Sequence, residues 1–144
     1  MDPIRQRLSE LFPSKDGSYL YSPVGGGSIN ETARILWGGS EFFCKINSAT
    51  KFPHLFLKEK NGLERIAQQG LIKTPAVIDH FESGDQQFLL LEWITTGART
   101  NEFWKLFGEQ LAALHHIHAD NFGWEEDNYM GSVEQGNKFT GQWE

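Results

Sequence analysis

The spacing of apolar and polar positions changes several times along the chain, and each change marks an element. Asp2 precedes Pro3, and Ile4, Leu8 and Leu11 follow at spacings of four and three, which predicts a short helix capped by Asp2 with one apolar stripe. Phe12-Pro13-Ser14-Lys15-Asp16-Gly17 closes it. From Tyr19 the pattern becomes strand-like, with runs at 19–24, 29–37 and 41–47 broken by Gly25-Gly26-Gly27-Ser28 and Gly38-Gly39-Ser40, both read as hairpin turns. A helical pattern occupies 52–69, with Pro53 confined to its first turn and Gly70 at its end. Strand patterns return at 76–81 and 87–94, joined by Glu82-Ser83-Gly84-Asp85. A polar linker at 95–99 leads to an amphipathic helix at 101–118, where Phe103, Phe107, Leu111, Leu114 and His118 recur at spacings of three and four. The remainder, 121–144, has glycines and scattered aromatics without a period and reads as loops or a hairpin needing support from elsewhere. This order predicts an α+β fold, a five-stranded antiparallel sheet with helices packed on it.

Composition narrows the class. At 144 residues the chain suits one domain, and 39% hydrophobic content with 11 Phe and 5 Trp can form a packed core. Lys and Arg total 13 against 19 Asp and Glu, a net charge of −6, which argues against a nucleic-acid or anionic-membrane surface. A lone cysteine, Cys44, excludes an internal disulfide and suits a reducing compartment. The N-terminus has no apolar signal core, and no apolar run is long enough to span a bilayer, so a cytoplasmic location is expected.

Three features carry candidate chemistry. Gly25-Gly26-Gly27-Ser28 lies between two strands and so is not a Walker A loop; it is either an ordinary turn or a hairpin that folds over phosphates, where absent side chains let backbone N–H groups approach an anion. In the next strand, alternation puts Phe43, Lys45 and Asn47 on one face and Phe42, Cys44 and Ile46 on the other. Lys45 in so apolar a strand must reach water, an anion or a carboxylate. In the following helix, Phe52, Leu55, Phe56, Leu63 and Ile66 share a stripe and Glu59 falls in its middle, or on its rim if the stripe is shifted. An inward carboxylate needs a partner, and Lys45, one loop upstream, is the natural one. Glycine hairpin, strand lysine and helix glutamate in this order describe the nucleotide-holding half of a kinase fold. The run 87–94 then fits a last strand entering a hinge, where backbone groups near Glu92 and Ile94 can pair with an adenine edge; a plain buried strand explains the same residues. His115, His116 and His118 have no accompanying ligand cluster and read as packed or solvated. His118-Ala119-Asp120 lacks the asparagine a catalytic loop needs, Glu125 standing in its place.

Several stretches together resemble the fructosamine kinase (ketosamine-3-kinase) family, relatives of the aminoglycoside phosphotransferases. They are Gly25-Gly26-Gly27-Ser28-Ile29-Asn30, Phe43-Cys44-Lys45-Ile46-Asn47, Leu90-Leu91-Glu92-Trp93-Ile94, Leu111-Ala112-Ala113-Leu114-His115, and above all Phe122-Gly123-Trp124 with Asp127-Asn128-Tyr129-Met130-Gly131-Ser132. The resemblance implies a kinase-like N-terminal lobe over 1–94, followed at 95–144 by a linker, a first helix and a loop or hairpin leading toward a C-terminal helical lobe largely absent here. It implies ATP and Mg²⁺ as cofactors, with the Mg²⁺ ligands in that absent lobe, and a ketosamine, a glycated amine or protein, as substrate for phosphorylation and deglycation. By motif match Lys45 contacts phosphates and Glu59 orients it, and the nucleotide-binding set is Gly25, Gly26, Gly27, Ser28, Phe43, Lys45, Glu59, Glu92, Trp93 and Ile94. Some members carry a cysteine in the glycine loop, where this chain has Ser28. No His-Gly-Asp loop follows, so these residues alone are expected to be inactive, with no catalytic residue among them. Half of a two-lobed kinase also leaves an apolar face uncovered, which predicts a homo-oligomer. The alternatives are a stand-alone nucleotide-binding or interaction module, and a kinase lobe for another small-molecule hydroxyl.

Overall fold

The computed structural model describes residues 2–25 and 29–142. Helix α1 (Pro3–Leu11) starts where the Asp2 carboxylate accepts the N–H groups of Ile4 at 2.9 Å and Arg5 at 3.4 Å, and it buries Ile4 and Leu8. Five strands follow in one antiparallel sheet: β1 (Tyr19–Pro23), β2 (Glu31–Trp37), β3 (Ser40–Ser48), β4 (Val77–Ser83) and β5 (Gln86–Glu92). Their spatial order is β1-β2-β3-β5-β4, so the last strand in sequence is inserted beside β3 and sits at the centre of the sheet's second half.

Strand alternation divides the apolar side chains between two cores. On one face Ala33, Ile35 and Trp37 of β2, Phe42, Cys44 and Ile46 of β3, and Phe88 and Leu90 of β5 close over Ile4 and Leu8 of α1. On the other, Leu89 and Leu91 pack with Phe52 and with Leu55 and Phe56 from the start of helix α2 (Leu55–Gln68), flanked by Phe43, Leu63, Val77 and Tyr129. The predicted α+β sheet with helices on it is therefore the observed architecture.

Two helix boundaries differ from the sequence pattern. Helix α2 begins at Leu55 rather than 52, because Pro53 is followed by His54 in the left-handed region at φ 60°, which turns the chain before the helix starts. Helix α3 (Asn101–His115) ends three residues early, leaving His118 outside it and exposed. Thr100 caps α3 by accepting the Phe103 N–H at 3.2 Å, yet the helix buries none of its residues. No residue of its predicted stripe is buried: Phe103 and Phe107 are 43% and 38% exposed, beside Trp104 and Leu106 at 53% and 51%, and the three rings pack on one another. Beyond it, the pattern-free segment forms a small hairpin of β6 (Asn128–Met130) and β7 (Val133–Gln135). Among the described residues no helix is long and apolar enough to cross a membrane.

Candidate nucleotide site

The face of the sheet beneath α2 gathers the polar residues singled out in the sequence. β3 projects Phe43, Lys45 and Asn47 toward it, and the Lys45 ammonium donates to both oxygens of Glu59 on α2, at 2.7 and 2.5 Å. The side chains of Lys45 and Glu59 are 18% and 31% exposed, so the pair is half-desolvated and open on one side. The lysine also lies 5.6 Å from the centre of the Phe56 ring. Glu59 is thus inward and paired, as its position in the apolar stripe predicts.

Asn47, two residues along the same face, ties down the end of the glycine hairpin. Its amide donates to the Ile29 carbonyl at 3.0 Å and to Asn30 Oδ1 at 2.6 Å. On the other arm Val24 is held to β2, its N–H donating to the Thr32 carbonyl at 2.9 Å and its carbonyl accepting the Thr32 hydroxyl at 2.7 Å. Gly25 follows, exposed, with nothing near the place a Cβ would occupy. Gly26, Gly27 and Ser28 lie outside the described residues.

Toward the end of β5 an apolar hollow of about 300 Å³ is lined by Val24, Phe43, Pro75, Leu91, Glu92, Trp93 and Ile94. The Phe43 and Trp93 rings face each other at 6.3 Å, and the Arg34 guanidinium sits 5.0 Å over Trp93 while ion-paired to Glu41. The Glu92 N–H donates to the Ala76 carbonyl at 2.8 Å, so that group is taken up by the residue just before β4. The Glu92 carboxylate accepts from the Ala76 N–H and from Lys73, both at 3.2 Å, and those bonds, the backbone one first, hold it below the usual carboxylate range. Phe43, Glu92, Trp93 and Ile94 therefore line one hollow. Lys45 and Glu59 form a separate pair one strand repeat, roughly 7 Å, along the same face from Phe43.

One residue that positions this arrangement escaped the sequence reading. Gln87, fully buried, accepts the Phe56 N–H at 3.1 Å and donates to the Ser48 and Phe52 carbonyls at 2.9 and 2.6 Å. It joins β5, the end of β3 and the first turn of α2. The available signal was a polar residue in the same alternation phase as Leu89 and Leu91 in an otherwise apolar run. Cys44 points the opposite way, under α1, where burial pushes its thiol up to about 12.

The resemblance implies Mg²⁺, which carboxylate oxygens would hold together with phosphate. Among the described residues no three of His, Cys, Asp and Glu converge closely enough to hold a metal ion. Near the lysine the carboxylate is Glu59, already committed to Lys45.

A twisted antiparallel sheet, a helix carrying the lysine's carboxylate partner, and an apolar hollow at the end of the last strand define the small lobe of the kinase-like fold. The fructosamine kinase family model matches residues 2–144, and the chain belongs to that family. It is 36% identical over 121 residues to a probable ketoamine kinase of Synechocystis sp., covering 83% of this chain and 41% of that protein. To a probable ketoamine kinase of Enterococcus faecium it is 32% identical, covering 84% and 42%. A crystal structure assigned as a fructosamine-3-kinase from Haemophilus somnus 129PT superposes with a TM-score of 0.84 at 28% identity, covering 97% of this chain and 48% of that one. The chain thus spans less than half the length of each of these relatives.

Proposed function

We propose that these residues form the nucleotide-holding part of an ATP-dependent ketosamine kinase. The observation that carries the reading is the bidentate Lys45–Glu59 pair on the same sheet face as the hollow at Phe43 and Trp93. In this reading the purine occupies the hollow, against Phe43, Leu91 and Trp93, with the backbone of Glu92 to Ile94 along its edge. The phosphates run toward Lys45, in keeping with the expectation from the sequence that Gly25, Gly26, Gly27 and Ser28 cover them. Glu59 keeps the ammonium pointed at them, and Asn47 fixes the hairpin's far end. A ketosamine as phosphoryl acceptor is supported by the names of the relatives. The buried single thiol and the use of ATP fit a cytoplasmic enzyme.

Phosphoryl transfer also needs a carboxylate beside the attacking hydroxyl and ligands for magnesium. Asp127 is engaged with the Asn137 N–H at 2.7 Å, and no metal-ligand group exists among the described residues. These 144 residues by themselves are therefore expected to bind ATP weakly and to transfer no phosphate. Calorimetric titration of ATP into the chain and into Lys45→Ala tests this. The variant should bind at least about tenfold more weakly, the value of one charge-assisted contact. Equal affinity overturns the site assignment. Turnover of a fructosyl-lysine by the unmodified chain overturns the expectation of inactivity.

A further inference from the structure

Helix α2 carries Glu59 but is poorly equipped to hold itself in place. Its N-cap residue, His54, makes no side-chain capping bond, Gly62 interrupts its middle with open space around it, and only Leu55 and Phe56 in the first turn are buried. Gln87 secures that first turn and nothing further along. Beyond that turn the helix has the partly buried Leu63 against the core and the Lys45–Glu59 pair itself, and it has one further support.

That support comes from the segment after α3. Lys58, Asn61 and Arg65 share one edge of α2 at spacings of three and four, and each meets a residue of 124–129. The Lys58 ammonium lies 5.2 Å over the Tyr129 ring, the Asn61 amide donates to Glu126 at 2.9 Å, and the Arg65 guanidinium lies 5.7 Å over Trp124. Tyr129 also reaches the turn before the helix: its hydroxyl donates to the Pro53 carbonyl at 3.2 Å, and its ring meets Phe52 edge-on at 6.1 Å. Glu59 and Tyr129 both line one cavity of about 330 Å³.

The segment is itself rigid. Phe122 and Thr140 exchange two backbone bonds at 2.9 Å, the Trp124 N–H donates to the Asn137 carbonyl at 2.7 Å, and the Asn137 amide returns to the Glu126 carbonyl at 3.1 Å. Gly123 stands at φ +110°, where a Cβ would come within 2.6 Å of the Lys138 carbonyl oxygen, so glycine is required for the two arms to cross. Within the motif that carries the family resemblance, Phe122, Gly123 and Asp127 close this hairpin while Trp124 and Tyr129 touch α2, joined there by Glu126 from between the two halves of the motif.

We propose that residues 122–140 brace the outer edge of α2, and that Tyr129 is a positioning residue for the Lys45–Glu59 pair, acting through the helix without touching nucleotide. Its consequence for ATP rests on the site reading above; its effect on the pair does not. Without the brace, the helix beyond its first turn moves away from the sheet and Glu59 leaves Lys45.

The test is acylation of the whole chain by acetic anhydride, followed at Lys45 by mass spectrometry, because an ammonium bonded to a carboxylate is shielded from reagent. Lys73, 75% exposed and outside α2, serves as the internal standard. Tyr129→Ala should speed labelling of Lys45 about fivefold while leaving Lys73 unchanged. Tyr129→Phe, which keeps the ring on Phe52 and Lys58, should stay near the unmodified rate. In a Glu59→Gln background, Tyr129→Ala should add nothing, since both act on one pair. Asn61→Ala, which removes one bond at the helix edge without opening the core, should give about a twofold increase and guards against a Tyr129→Ala chain that does not fold. An unchanged Lys45 rate in both alanine variants overturns the brace, as does an equal acceleration with and without Glu59. ATP added to the unmodified chain separates the two readings: failure to slow Lys45 labelling overturns the nucleotide site, while the brace is judged on the variants alone.

Discussion

Beneath α1 the sheet presents Ala33, Ile35, Phe42, Cys44, Phe88 and Leu90, all buried and all apolar; beneath α2 the same strands present Lys45, Asn47 and Gln87 among Leu89 and Leu91. The difference follows from what each helix brings. α1 is capped by Asp2 and inserts two fully apolar side chains, Ile4 and Leu8, with its one ionic link to the sheet, Arg7 to Asp79 of β4 at 2.6 Å, at the edge of that core. α2 lacks a capping side chain and brings a carboxylate, which must stay half-exposed and paired because full desolvation of either charge would cost more than the pair returns. The centre of one face is wholly apolar, whereas the centre of the other holds the partly exposed Lys45–Glu59 pair. A site that must admit a charged ligand belongs on the second.

Variants on the two faces should separate stability from site geometry. The largest effect is expected under α1. Leu8→Ala, at a position with no exposure, should cost about 2–5 kcal/mol in urea unfolding and leave Lys45 labelling in the folded chain unchanged. A change in Lys45 reactivity there would dissolve the distinction between the faces. Gln87→Leu on the α2 face should cost less, roughly 1–3 kcal/mol for the buried backbone groups left without a partner. Unlike Leu8→Ala, it should speed Lys45 labelling, because the first turn of α2 loses its anchor; urea unfolding with labelling unchanged would show that the anchor does not reach Glu59.

The smallest effect is a pH dependence confined to the α1 face. Burial raises the Cys44 thiol from its ordinary value of 9.0 to about 12. Above pH 9 the unfolded chain therefore releases a proton that the folded chain keeps, and stability falls as pH rises, approaching roughly 1.4 kcal/mol per unit between those two values. Cys44→Ala should flatten urea unfolding midpoints measured between pH 8 and 10 relative to the unmodified chain. Parallel curves for the two would show that Cys44 does not contribute. Native Cys44 should also react slowly with a thiol reagent at a rate ATP does not change, since the residue faces away from Lys45.

Much of this arrangement is legible in one dimension. Alternation in 41–47 separates Lys45 from Cys44, and the helical period around 59 sets Glu59 inward, so the ion pair follows from two local periodicities and one loop. Element ends were less legible where a single backbone angle decides them, as at His54, whose left-handed turn delays α2 by three residues. Gln87 was hidden because a strand pattern records which face a residue takes and not what waits there. The hollow at Phe43, Trp93 and Ile94 depends on β5 lying beside β3, a pairing between segments about forty residues apart.

The sequence by itself determined the class of fold, the two-sided character of the sheet, the Lys45–Glu59 partnership and, through its motifs, the family. These rest on local spacing, which fixes the direction of each side chain along its own element. Only the tertiary structure decided that the pattern-free segment after α3 folds back on α2, that Trp124, Glu126 and Tyr129 meet Arg65, Asn61 and Lys58, and that the apolar stripe of α3 stays uncovered among the described residues. Those contacts join residues some sixty or seventy positions apart, and no periodicity within an element encodes which distant surface it will find.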